Sequence, residues 1–203
     1  MEIRRHRAGV VRRGIACVVG ALVVLAVGTG AAHASTESVA DPAHDNGLGF
    51  DPRGDIVQIS VTNDPFEVDL MLQSATFEDP STSADWLGGG ATIVFGVDVD
   101  GDQQADFLVT YSNNGFGPYV LVASQSTNSL VCGGTPLWDA SASTYTAVID
   151  ASCFANASGM AVNASFDYYD ENWTESFDGT SYTAPASLPT TTTTSTTTTT
   201  TTT

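Results

Sequence analysis

The strongest constraint on the fold is an alternation of apolar and polar residues that repeats at every second position. In residues 57–62 and again in 66–73, one set of alternate side chains is apolar and the other set is mostly polar. This period collects apolar side chains on one face of a β-strand, whereas a helix needs a period near 3.6. The side chains expected to face one core are Val57, Ile59, Val61, Phe66, Val68, Leu70 and Leu72.

More short runs of the same kind follow, each rich in β-branched and aromatic residues and bounded by turn-forming residues. They cover residues 92–99, 106–111, 119–123, 145–149 and 160–169. Strands of this number with one buried face predict an all-β fold, specifically an antiparallel β-sandwich, with a closed β-barrel as the alternative. We expect one such domain over residues 45–185, because about 140 residues is close to the commonest domain size.

The first 34 residues have the features of a secretory signal peptide. An arginine-rich start precedes an apolar run at residues 15–27, and Ala32-His33-Ala34 provides a small-x-small cleavage site. The apolar run spans only about 20 Å as a helix, against about 30 Å for a bilayer core. We therefore predict a secreted or cell-surface protein that meets the membrane only during export, with a flexible segment at residues 35–44.

The chain beyond this leader is strongly acidic. Arg53 is its only Lys or Arg and stands against 22 Asp and Glu residues, a formal charge of −21. Binding to phosphates by counterion release needs several basic side chains, and a negative field repels nucleic acid. The composition therefore excludes nucleic acid as a partner.

Two cysteines remain beyond the leader, Cys132 and Cys153. An even number of cysteines in an oxidising compartment predicts a disulfide. In the chain-entropy model, closing a loop of this size stabilises the fold by about 3 kcal/mol.

The chain ends in a threonine-rich segment. Residues 190–203 are threonine apart from Ser195. Such a tract buries no apolar surface, so we predict a disordered tail or linker over residues 186–203.

An aspartate-rich sequence, DVDGDQQAD, occupies residues 98–106 between two predicted strands. Calcium takes about six to eight oxygen ligands, and aspartates spaced around a glycine turn can supply several. The spacing resembles the calcium loops of dockerins and extracellular repeat proteins, although Gln103 and Thr110 stand where an EF-hand has Gly and Glu. The alternative is a plain β-hairpin turn. The candidate calcium ligands are Asp98, Asp100, Asp102 and Asp106.

Aromatic residues near predicted loops are candidates for ligand binding. Trp86 precedes three glycines, and Trp173 follows Tyr169 in an acidic loop. Sugar rings stack on exposed aromatic faces, so Trp86, Trp173 and Tyr169 are candidate ligand-binding residues, with burial in the core as the alternative. Trp138, beside Leu137, is expected in the core.

The sequence offers little for catalysis. His44 is the only histidine beyond the leader, no G-x-S-x-G motif occurs, and the chain contains no lysine. An acid pair of the glycoside-hydrolase kind is the one chemistry left open. We therefore expect no enzymatic activity, with an acid-pair glycoside hydrolase as the alternative.

The layout of leader, short strands, aspartate-rich hairpin (97–107) and paired cysteines resembles secreted actinobacterial β-sandwich domains. At greater distance it resembles the DOMON-like superfamily and its family 9 carbohydrate-binding modules. The resemblance covers residues 45–185 and implies a non-catalytic module that binds sugar or another small ligand and carries structural calcium. The tryptophan pair of those modules has no match here.

Two functions are consistent with these features. The first is an exported binding module for a glycan. The second is a structural or interaction domain that contacts another cell-envelope component and binds no small ligand.

Overall fold

The computed structural model describes residues 34–42, 51–169 and 175–188. Two short helical elements occur in this part, the α-helix α1 (Ala84–Leu87) and a 3-10 turn (Ala151–Phe154). The strands are β1 Ser35–Ala40, β2 Ile56–Asn63, β3 Glu67–Ser74, β4 Ala91–Asp98, β5 Phe107–Asn113, β6 Pro118–Ser124, β7 Ser129–Asp139, β8 Thr144–Asp150, β9 Gly159–Tyr169, β10 Glu175–Gly179 and β11 Ala186–Ser187. Neither helical element in the described ranges has the length and apolar character that crossing a membrane requires.

The strands form one curled antiparallel sheet. Its order is β1-β2-β3-β8-β7-β6-β5-β4-β9-β10, and β11 pairs with β9. Most neighbours in the sheet are also neighbours in sequence, which is typical of strands joined by hairpins. The predicted antiparallel all-β fold is confirmed, and the choice between sandwich and closed barrel stays open because the sheet is a half-barrel.

Strand β7 changes partner halfway along its length. Residues 129–134 pair with β6, and residues 135–139 pair with β8. Gly134 lies at the change, where a Cβ atom would come within 2.7 Å of the Val148 carbonyl oxygen. Pro136 lies in the second half, which pairs on one side only, the kind of strand position where a sheet tolerates proline.

The concave face of the sheet holds the hydrophobic core. Trp86 is fully buried at its centre, with ring centroids 5.2 Å from Tyr145, 5.7 Å from Tyr111 and 5.8 Å from Phe166. Tilted and edge-on aromatic contacts of this kind stabilise a core beyond their burial. The predicted core residues Ile59, Val61, Val68, Leu70 and Leu72 are all completely buried.

Three other core predictions are wrong. Val57 is only partly buried, because the register shifts between Ile56 and Gln58 and Ile56 takes the buried position. Phe66 is 82% exposed, since it lies in the β2–β3 turn before β3 begins. Trp138 is 38% exposed near the end of β7, where that strand has a partner on one side only.

The predicted disulfide is confirmed. Cys132 and Cys153 are bonded, with their Cα atoms 6.1 Å apart. The bond ties β7 to the 3-10 turn that follows β8.

The structure also corrects the predicted domain boundaries. Residues 35–40, expected to be flexible, form β1 and pair with β2 along the whole strand. Ala186, expected in the disordered tail, is completely buried in β11, and its carbonyl accepts a hydrogen bond from Asn63 Nδ2 at 3.1 Å. The predicted signal peptide, except for Ala34, and the threonine tract at 190–203 lie outside the described residues.

Candidate functional site

The aspartate-rich sequence forms a tight loop that joins β4 to β5. Asp98 is the last residue of β4 and is 1% exposed. Its Oδ1 accepts backbone N–H groups of Asp100 at 3.1 Å and Gly101 at 2.7 Å, and its Oδ2 accepts that of Gln103 at 2.8 Å. Gly101 and Gln103 both have positive φ, which the tight reversal of the chain requires. The Asp98 carboxylate therefore organises the loop from inside.

Three of the four predicted metal ligands come together. Carboxylate oxygens of Asp98, Asp100 and Asp106 all lie within 4.8 Å of one another. Ligands on opposite sides of a calcium ion are separated by about this distance, because each bond is about 2.4 Å long. The cluster can therefore hold a metal ion. Asp102 does not join it: its Oδ1 is directed to the backbone N–H of Gln104, at 2.8 Å.

The electrostatics of the loop reflect this crowding of carboxylates. A hydrogen bond from the Asp102 backbone lowers the pKa of the Asp100 carboxyl. Repulsion from Asp102, Asp106 and Asp98, together with a small desolvation effect, outweighs that bond, so the pKa of Asp100 is raised overall. A cation bound between these groups would remove the repulsion.

The predicted aromatic platform does not form as expected. Trp86 is fully buried because α1 begins after Ser83, whose Oγ accepts the Asp85 N–H at 3.2 Å, and directs Trp86 into the core. Tyr169 is partly buried at the end of β9, and Trp173 lies outside the described residues. The assignment of Trp86 as a ligand-binding residue is therefore wrong.

A groove of about 340 Å³ lies on the outer face of the sheet instead. Ile93, Phe95 and Ala164 point into the core, so the alternate residues of β4 and β9 point outward. Outward-facing Val94 and Ser165 line the groove.

Aromatic side chains border this groove. Phe177 of β10 lines it and is 46% exposed, which leaves an apolar ring available to a ligand. Tyr182, in the segment after β10, lines it as well. Burial and the charges of Asp98, Asp102 and Asp106 raise the pKa of the Tyr182 hydroxyl, so the groove lies within the field of the aspartate loop.

Polar side chains complete the lining. Asn163, Gln125 and Thr180 join Ser165 there and offer amide and hydroxyl groups. Gly96 makes room for this arrangement, because a Cβ atom at that position would collide with Asn163 Oδ1 and lie 3.2 Å from the Ala105 Cβ. An aromatic ring beside convergent amides and hydroxyls can bind a ligand that has both apolar faces and hydroxyl groups.

A second charged cluster surrounds the single arginine of the described chain. Arg53 hydrogen-bonds Asp51 and Asp85, pairs with Glu78 at 3.5 Å, and lies 4.6 Å from the centre of the Tyr168 ring. The Tyr168 hydroxyl contacts Glu78 at 2.8 Å and Asp85 at 2.6 Å. The hydrogen bond with Asp51 is the main cause that raises the pKa of Arg53. This cluster holds α1 against β9.

Sequence reasoning missed the groove for identifiable reasons. Phe177 lies in β10, a five-residue strand that the alternation did not reveal. Signals were present at three other positions. Gly96 interrupts a strand, which often marks a close approach of another chain segment, and Asn163 and Ser165 occupy outward positions of β9.

Comparisons with protein-family models, with curated proteins and with solved structures found no match for this chain.

Proposed function

We propose that this protein is an exported, non-catalytic carbohydrate-binding module. The groove on the outer face of the sheet carries the proposal, because it combines the exposed ring of Phe177 with the side chains of Asn163, Gln125 and Ser165. A sugar ring has apolar C–H faces and a rim of hydroxyl groups. The aromatic ring suits the faces, and the amides and hydroxyls suit the rim.

The dimensions support a short oligosaccharide. The groove volume of about 340 Å³ is at the lower end of the about 300–1,000 Å³ that is typical of ligand sites. Tyr169 lies on the same outer face of β9, four residues beyond Ser165, or about 13 Å along the strand. A longer glycan that extends along β9 would reach it.

The aspartate loop has a supporting role in this proposal. Asp98, Asp100 and Asp106 would bind calcium, with backbone carbonyls and water as further ligands. Ala105 of the same loop lines the groove, so an ion that fixes the loop also fixes one side of the sugar site.

Two carboxylates that lie close together, as in the acid pair of a glycoside hydrolase, have a structural role in this proposal. Glu78 and Asp85 both lie within hydrogen-bond distance of one hydroxyl, that of Tyr168. Both also contact Arg53. We therefore assign the pair to holding α1 in place.

Calorimetric titration of the exported full-length protein with cellohexaose, xylohexaose, N-acetylglucosamine hexamer and glucosamine hexamer tests the function. We expect at least one of these to bind. Phe177→Ala should weaken that binding about tenfold, which corresponds to about 1.4 kcal/mol.

The matched control is Phe116→Ala. Phe116 is 98% exposed in the β5–β6 turn and does not line the groove. The Phe116→Ala variant should bind the oligosaccharide as tightly as the unmodified protein does. If none of the four oligosaccharides binds, or if the two variants lose affinity equally, the groove is not a sugar site and the alternative of a structural envelope domain gains support.

A further inference from the structure

We propose that the groove selects its ligand by charge and prefers a cationic amino sugar, such as a glucosamine oligomer, to neutral or anionic sugars. This inference rests on the proposed function and adds the class of sugar. Its basis is the distribution of charges on both sides of the groove.

The aspartate loop lies at the first end of the groove. On the outer face of β4, Val94 and Gly96 line the groove, and Asp98, which is 1% exposed inside the loop, follows them. Ala105, which lines the groove, directly precedes Asp106. The Gln125 N–H also donates to the Asp106 carbonyl at 2.8 Å, which joins the loop to the groove lining.

A second acidic group stands at the other end. Asp167 follows Ser165 on the outer face of β9, about 7 Å further along the strand. It is the partner of Phe177 in the β9–β10 ladder, so its carboxylate lies beside the proposed stacking ring. Burial and the nearby charge of Glu175 raise the pKa of the Asp167 carboxyl. An ammonium group on a bound sugar would relieve this repulsion.

No positive charge offsets these carboxylates within the described part of the chain. The residues that line the groove there include no Lys or Arg. Arg53, the only basic residue of the described ranges, is held by Asp51, Glu78 and Asp85. The four aspartates of the loop carry a formal charge of −4, so a bound calcium ion would still leave −2 there. An anionic sugar would therefore meet negative charge at both ends, while an amino sugar would meet complementary charge.

The test compares three hexamers that differ in charge: glucosamine, N-acetylglucosamine and galacturonic acid. They are titrated into the full-length exported protein at pH 6, where the amines are protonated, in about 20 mM salt. We expect glucosamine hexamer to bind about tenfold more tightly than its N-acetylated form, since each exposed ion pair adds a modest amount. The galacturonic acid hexamer should show no binding. The preference should shrink in about 0.5 M salt, where the Debye length is only a few Å.

Asp167→Asn should reduce the preference for glucosamine about threefold, because it should weaken binding of the cationic hexamer more than binding of the N-acetylated hexamer. The control is Asp139→Asn, which removes one exposed carboxylate at the end of β7, away from the groove. It should change neither affinity.

The outcomes separate the inference from the function on which it rests. If both neutral and cationic hexamers bind equally well and both depend on Phe177, charge selection is overturned and the sugar site stands. If glucosamine hexamer binds but ignores Phe177→Ala, and both aspartate variants weaken it alike, the binding is general adsorption to an acidic surface and the inference is overturned. If no hexamer binds, the proposed function falls and the inference falls with it.

Discussion

Two groups of carboxylates lie at opposite ends of the β4–β9 strand pair, and they are stabilised in different ways. The first group, Asp51, Glu78 and Asp85, surrounds Arg53 near Tyr168, which pairs with Ala91 at the start of β4. The second group is the aspartate loop, whose Asp98 at the end of β4 pairs with Ala161. In the first group, Arg53 supplies a counter-charge to three carboxylates. In the second, Asp98 relies on three backbone N–H groups.

The difference shows how the described part of the chain, which has one arginine, distributes its charge. The arginine stands where carboxylates are partly buried and join α1 to β9, because buried charges without partners are costly. In the aspartate loop, Asp98 is 1% exposed and its charge is stabilised by three backbone N–H groups, whereas Asp100 and Asp102 are exposed to water. Negative charge consequently remains unbalanced at the loop, where it can attract a cation.

Arg53→Met should produce the largest effect. Removing one member of a buried ion pair lowers the free energy of unfolding by about 3–5 kcal/mol. We expect the lower end, about 3 kcal/mol, because the Arg53 side chain is 31% exposed and water screens part of the interaction. Urea unfolding at pH 7 measures the change. Arg53→Lys is the control: it keeps the charge but loses the two-pronged contact with Asp51, so it should recover part of the stability. If the methionine variant is as stable as the unmodified protein, the first cluster is not held by its arginine.

Calcium should act on the second cluster and leave the first unaffected. At a concentration about a hundredfold above its Kd, an ion that binds only the folded state raises the free energy of unfolding by about 2.7 kcal/mol. The measurement is a higher Tm in calcium than in chelator. Asp100→Asn should abolish this response, and Asp102→Asn should keep it, because Asp102 lies outside the three-carboxylate cluster. An unchanged Tm in calcium, or equal losses in the two variants, would contradict the metal site.

The smallest effect concerns the pH dependence of the loop without metal. The pKa of Asp100 is raised in the folded state, so its ionisation opposes folding above the ordinary value of 3.8 and has no effect below it. In chelator at pH 7, Asp100→Asn should therefore be slightly more stable than the unmodified protein, and the difference should vanish as the pH falls below about 3.8. Thermal unfolding from pH 3 to pH 7 measures both. A variant that is less stable at pH 7 would mean that the bond from the Asp102 backbone outweighs the repulsion.

The alternation of residues was sufficient to predict the class of fold and most of its core. Ile59, Val61, Val68, Leu70 and Leu72 are buried as the period of two requires, because a strand turns every second side chain to the same face. The disulfide was also predictable, since only two of the three cysteines lie beyond the predicted leader. Strand β7 was not, because its two glycines and its proline obscure the pattern.

The sequence predicted that aspartates would form the metal cluster, but not which three of the four would come together. The sequence placed four aspartates in one short segment, and the turn at Gly101 and Gln103 decided that Asp102 points away. The position of Trp86 likewise depended on tertiary structure. A tryptophan before three glycines suits a loop or a core equally well, and the cap at Ser83 turned it inward.

The sequence by itself determined the strands that have a clear alternation, most of their inward positions, the net charge and the cysteine pair, because these depend on local periodicity and composition. The tertiary structure alone decided the groove. Its lining residues come from β4, β5, β9, β10 and the segments that follow β4, β6 and β10, so Phe177, Asn163 and Gln125 come together only after the sheet has formed. No local sequence pattern predicts that these residues lie close together, since their proximity depends on strand order and register, which are set by long-range pairing.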